Sequence, residues 1–91
     1  MNINRKISSS IGKRIHMRRR ILGLTMKTLA EKSGTFQPQI LRYETGERKI
    51  SAAQLFLIAT ALDTPIDWFF MDCSPNLEDK DPKNRGKDES S

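Results

Sequence analysis

The sequence predicts an all-α fold, five short helices packed as one compact domain over residues 8–71. Three observations carry this. Apolar residues recur at three- and four-residue spacing in successive windows. The windows are punctuated by capping residues and by Gly or Pro, and no stretch alternates with the two-residue period of a half-buried strand. Ninety-one residues allow one core at most, and so small a core favours helices over a two-layer α/β arrangement.

Residues 1–7 read as a flexible N-terminal arm, and the polar, Ser-rich character persists to Ser10. Ile11, Ile15 and Leu22 then fall on one helical stripe, flanked by Lys13, Arg14, Arg18, Arg19 and Arg20, and Gly23 closes that helix. Thr25 N-caps a second helix that turns Leu29 and Ala30 inward and ends at Ser33–Gly34. A third helix runs from about Gln37 to Glu44 with Ile40 and Tyr43 inward. Pro38 is harmless in its first turn, where the missing N–H has no intrahelical partner to lose.

Thr45-Gly46 stops the third helix, and residues 47–50 form a charged loop. Ser51-Ala52-Ala53-Gln54 has the form of a capping box, in which the hydroxyl takes the N3 amide and the Gln side chain returns to the cap amide. Leu55, Ile58, Ala59 and Leu62 follow as i, i+3, i+4, i+7, the strongest amphipathic stripe in the chain. Thr64-Pro65 supplies a cap and an N1 proline for a last short helix through Trp68, Phe69 and Phe70. Three successive aromatics cannot all face inward on one helix, so these three are candidates for a dimer interface. Residues 72–91, with Leu77 their only large aliphatic, read as a disordered polar tail.

The net charge of +5 is unevenly spread: up to Met71, twelve Lys/Arg stand against five Asp/Glu, and from Asp72 four stand against six. Such a basic body suggests a polyanionic partner, nucleic acid ahead of an anionic membrane. The single Cys73 excludes an internal disulfide and fits a reducing cytoplasm. Residues 1–10 lack the continuous apolar stretch of a signal peptide, and no apolar run approaches the roughly 20 residues of a membrane span. A soluble, cytoplasmic protein is expected. One His, one Cys at the tail's edge, no paired acidic site and no phosphate-cradling glycine loop argue against an enzyme, a metal site or a cofactor. No small-molecule ligand is evident, and His16 reads as a surface residue.

Two short helices joined by a tight turn, the second followed at once by a basic loop, form the geometry of a DNA-reading helix-turn-helix. Small Ala30 permits close crossing of the second and third helices, and Gly34 permits the turn. Gln37 and Gln39 occupy the first turn of the third helix, and a glutamine amide offers a donor and an acceptor that match adenine N6 and N7 in the major groove.

Over about 60 residues the chain resembles the Cro-and-repressor (XRE-like) helix-turn-helix family. The resemblance rests on Leu24-Thr25, Leu29-Ala30-Glu31-Lys32, Gly34, Ile40, Arg42-Tyr43-Glu44, Gly46, Arg48-Lys49 and the Leu62–Phe70 ending, which share one joint register. It implies a five-helix, lambda-repressor-like domain that binds double-stranded DNA with its third helix in the major groove, usually as a homodimer. By position it implies that Gln37, Pro38, Gln39 and Arg42 face bases, and that Thr25, Met26, Arg48 and Lys49 lie along phosphates. It also implies an ion pair of Arg19 with Glu44 tying the first helix to the third. That pair is physically sensible, because a carboxylate at a helix C-terminus opposes the dipole.

Two positions depart from the family pattern. Phe36 stands where a Ser or Thr often caps the third helix, which leaves Thr35 as an alternative cap. Met26 replaces a frequent phosphate-binding Gln. The expected function is a sequence-specific transcriptional regulator, most simply a repressor. An antitoxin or a restriction–modification controller of the same fold is the alternative. From a different class stands a membrane-surface or protein-docking helical module, against which the thin apolar stripe of the first helix counts.

Overall fold

The computed structural model describes residues 3–73. Four α-helices, α1 (Ile3–Ile21), α2 (Met26–Lys32), α3 (Gln37–Thr45) and α4 (Ala52–Ala61), are followed by a 3₁₀ turn at Ile66–Phe70. The all-helical class is as expected. The fifth element, however, is this tight turn and not an α-helix. Each α-helix is stopped by a residue with positive φ: Gly23 (73°), Gly34 (75°), Gly46 (80°) and Asp63 (51°). This left-handed conformation turns the chain out of the helix and is least strained for Gly, with Asp among the more tolerant residues.

The core forms where the stripes meet. Ile15, Leu29, Ile40, Ile58, Leu62 and Phe69 are its largest fully buried side chains, joined by Ile11, Ala30, Tyr43, Leu55 and Ala59. Each large member stabilises the fold by about 1.5–3 kcal/mol relative to exposure. α1 packs most extensively on α3, α2 packs on α3 and α4, and the 3₁₀ turn closes against α1 and α4. The caps of α2 and α4 form as the sequence implies: Thr25 and Ser51 hydroxyls accept from the amides of Thr28 and Gln54, both at 3.0 Å.

Several expectations are corrected. The arm expected at residues 1–7 is helical from Ile3 onward. Serines are weak helix formers, but Ser8 is buried and Ile7 packs on the core, so tertiary contact overrides local preference. Leu22 is 42% exposed, because α1 ends at Ile21 and the chain is already turning; Leu24 packs against the core instead. Only half of the capping box forms: Gln54 Nε2 donates across to the Ser33 carbonyl. Thr64 does not cap. Pro65 takes the N-cap position, while the Thr64 hydroxyl donates to the Leu62 carbonyl and accepts from Arg18 Nε. Of the tail expected at 72–91, Asp72 is ion-paired and Cys73 is half-buried, and residues 74–91 lie outside the described residues.

Candidate nucleic-acid interface

α3 is set at the surface by close approach to α1. A Cβ added at Gly12 would collide with the Tyr43 carbonyl oxygen and press on that of Glu44. A Cβ at Gly46 would meet Ser9 in the same way. Only glycine lets the two backbones come so near. Sequence reading passed over Gly12, although a lone Gly inside a helical window usually has a packing reason.

An ion pair locks this crossing. Arg19 Nε donates to Glu44 Oε2 at 2.7 Å and Nη2 to Oε1 at 3.1 Å, with both residues buried. The third nitrogen is also used, since Nη1 donates to the Leu24 carbonyl at 2.8 Å and so ties in the α1–α2 turn. His16, still largely exposed, brings Nδ1 within 2.8 Å of Glu44 Oε1. Its helical position, one turn before Arg19, was the available signal for this contact.

The start of α3 stands clear of the body. Phe36 is its N-cap without a side-chain bond, and Thr35 does not substitute: its amide donates back to the Ala30 carbonyl, and the helix still begins at Gln37. Gln37 and Pro38 are exposed. Gln39 is half-buried, its Nε2 donating to the Tyr43 hydroxyl oxygen at 3.0 Å. Arg42 is half-buried and borders a shallow concavity with Glu47, Arg48 and Lys49. On the other side Gln37 shares an open concavity with Arg20, Thr25 and Met26. α3 thus borders both concavities, through Gln37 at its start and Arg42 further along. Met26 lines the first of them but turns its side chain partly into the core.

The three aromatics separate. Phe69 is fully buried in the core, so it offers no surface to a partner. Trp68 is half-buried, edge-on to Phe69 with ring centroids 5.2 Å apart. The guanidinium of Arg14 lies 4.0 Å from its ring centre and is paired with Asp72 at 2.9 Å. Phe70 is exposed and borders a concavity with Ile7 and Ile11 of α1 and Leu55 of α4, whereas exposed Phe56 and Ile66 line a separate one. Among the described residues no cluster of His, Cys, Asp or Glu could hold a metal ion. No described helix is long and apolar enough to cross a membrane.

A helix-turn-helix family model matches residues 15–69, the span from the middle of α1 to the buried Phe69. The chain belongs to the XRE-like helix-turn-helix family. This helix-turn-helix chain is 42% identical over 80 residues to a transcriptional regulator in the ATPase CF(0) region of Rhodospirillum rubrum, covering 88% of this chain and 70% of that protein. It is 44% identical over 69 residues to an HTH-type transcriptional regulator of Rickettsia conorii, covering 76% of this chain but only 55% of the relative. Among solved structures, the restriction-modification controller protein C.AhdI from Aeromonas hydrophila superposes with a TM-score of 0.68 at 32% identity, over 69% of this chain and 96% of that one. The clp gene regulator ClgR from C. glutamicum shares the fold, with a TM-score of 0.71 at 21% identity over 74% and 87% of the two chains. The family is one of DNA-binding transcriptional regulators and not a class of enzymes.

Proposed function

We propose that this helix-turn-helix protein binds a specific double-stranded DNA site as a homodimer, with α3 in the major groove, and represses transcription from it. The observation that carries this is the exposed first turn of α3, with Gln37 and Pro38 free of the body. Gln37 borders the concavity that holds Thr25, and Arg42, further along the same helix, borders the one that holds Arg48 and Lys49. Binding divides into two parts. Lys and Arg contacts release counterions and give salt-sensitive affinity for any sequence. Side chains of α3 discriminate among sequences, each good bidentate pair by about 1–3 kcal/mol. Such work would be done in the cytoplasm.

The homodimer reading draws on the exposed apolar residues Phe56, Ile66 and Phe70, together with half-buried Trp68. Two copies joined there would set two α3 tips about one helical turn of DNA apart. A restriction–modification controller is the second reading, favoured by the 32% identity to such a protein over nearly the whole of its length.

Selection of bound sequences from random duplex DNA tests the proposal. A two-fold symmetric consensus is expected, and Lys49→Ala should weaken binding to every sequence alike and flatten the log K against log[salt] slope by about one unit. Enrichment of no sequence would overturn specific recognition. Binding to anionic vesicles as tight as to DNA would favour the membrane-surface module.

A further inference from the structure

The nine residues of α3 divide by exposure into two faces. Ile40, Tyr43 and Glu44 are buried, and at about 100° per residue the opposite side falls to Pro38, Leu41, Arg42 and Thr45. Leu41 is unlike its neighbours. It is 47% exposed and carries no hydrogen-bonding atom in its side chain. Gln37 lies one turn before it, Arg42 beside it and Thr45 one turn after it. A single exposed leucine on an ordinary surface calls for no explanation. This one stands on the flank of the face that, on the function proposed above, enters the groove, about 40° round the helix from Gln37 and about 60° from Pro38.

Docking that face takes its side chains out of water. Gln37 and Arg42 can exchange water for base edges or phosphates, whereas leucine gains only where it meets apolar surface. On the base edges of the major groove of unmodified DNA, the apolar group on offer is the C5 methyl of thymine. We propose that Leu41 is a specificity-determining residue that packs on a thymine methyl within each half-site. The assignment rests on the placement of α3 in the major groove. A cytosine in that place would present a bare C5–H beside an amino group, so the contact would be lost and a donor left facing the aliphatic chain.

Replacing each thymine of the selected site in turn by deoxyuridine removes the methyl and leaves the pairing edge unchanged. With the full chain, one such replacement per half-site should weaken binding about fourfold, the effect of one buried methyl. Leu41→Ala should bind the parent site weaker by a similar factor, be indifferent to that same uracil, and melt at the parent temperature. Wild-type indifference to every uracil, or an equal response of Leu41→Ala to the same uracil, would overturn the role of Leu41 while leaving the proposed function intact. A selection that enriches no sequence would instead remove that function, and the assignment with it.

Discussion

One turn apart on α3, Gln39 and Tyr43 are joined side chain to side chain, with the amide nitrogen 3.0 Å from the phenol oxygen. Gln37, two residues earlier, is exposed. The two glutamines that sequence reading treated alike are therefore in different states. One is already oriented by a buried ring, and the other is open to solvent.

It follows that Gln37→Ala should reduce discrimination between the selected site and a scrambled duplex by about 1–3 kcal/mol, with nonspecific affinity nearly unchanged. Gln39→Ala should cost less, and Tyr43→Phe should shift the preference at the base Gln39 faces. Fluorescence anisotropy titrations with both duplexes measure this. Equal losses on specific and scrambled DNA would show that these side chains do not read bases.

The Arg19–Glu44 pair is buried on both sides, so removing one partner strands a charge. Arg19→Met or Glu44→Gln should destabilise by about 3–5 kcal/mol. The double replacement should cost less than the two singles added together, because no lone charge remains. Urea unfolding of the four proteins closes the cycle, and simple additivity would mean that the pair is not coupled.

At Gly12, alanine gains up to about 1 kcal/mol of helix propensity. The added methyl nevertheless meets the Tyr43 carbonyl, a backbone atom that cannot swing aside. Gly12→Ala should therefore lower the melting temperature, and DNA affinity with it as α3 is pushed from its seat. A rise in melting temperature would show that the crossing is looser than described.

Burial raises the pKa of the Cys73 thiol above its ordinary value, and neighbouring Asp72 adds to this, with Arg14 offsetting part. A raised pKa leaves less thiolate at any given pH, and the thiolate is the nucleophile. Alkylation by iodoacetamide should be slower than for a free cysteine peptide at pH 8, and its rate should rise at higher pH than the peptide's. Arg14→Gln should slow it further near neutrality. A rate equal to the peptide's would show the thiol to be open to solvent.

Much of the fold was legible because local chemistry and packing agree. Thr25 and Ser51 cap where they stand, the α4 stripe is buried throughout, and each expected glycine ends its helix. The misses occur where distant contacts outvote local preference. Ser8 joins a helix because it packs inside, and Leu22 leaves its stripe because the helix ends first. Thr64 gives up a cap for Arg18 on another helix. In the candidate site, the register picked out Gln37, which is exposed, and Arg42 and Lys49, which line one concavity. It could not tell that Phe69 is spent in the core while Phe70 is exposed, since three adjacent aromatics differ only in where a short 3₁₀ turn points them.

The long first helix has two working sides. Gly12, His16 and Arg19 meet α3, whereas Arg14 and Arg18, about half a circumference away, hold Trp68, Asp72 and Thr64. Cys73, the last described residue, follows Asp72 on the side of α1 turned away from α3. A probe attached to the Cys73 thiol would therefore report from across α1 and leave the tip of α3 uncovered.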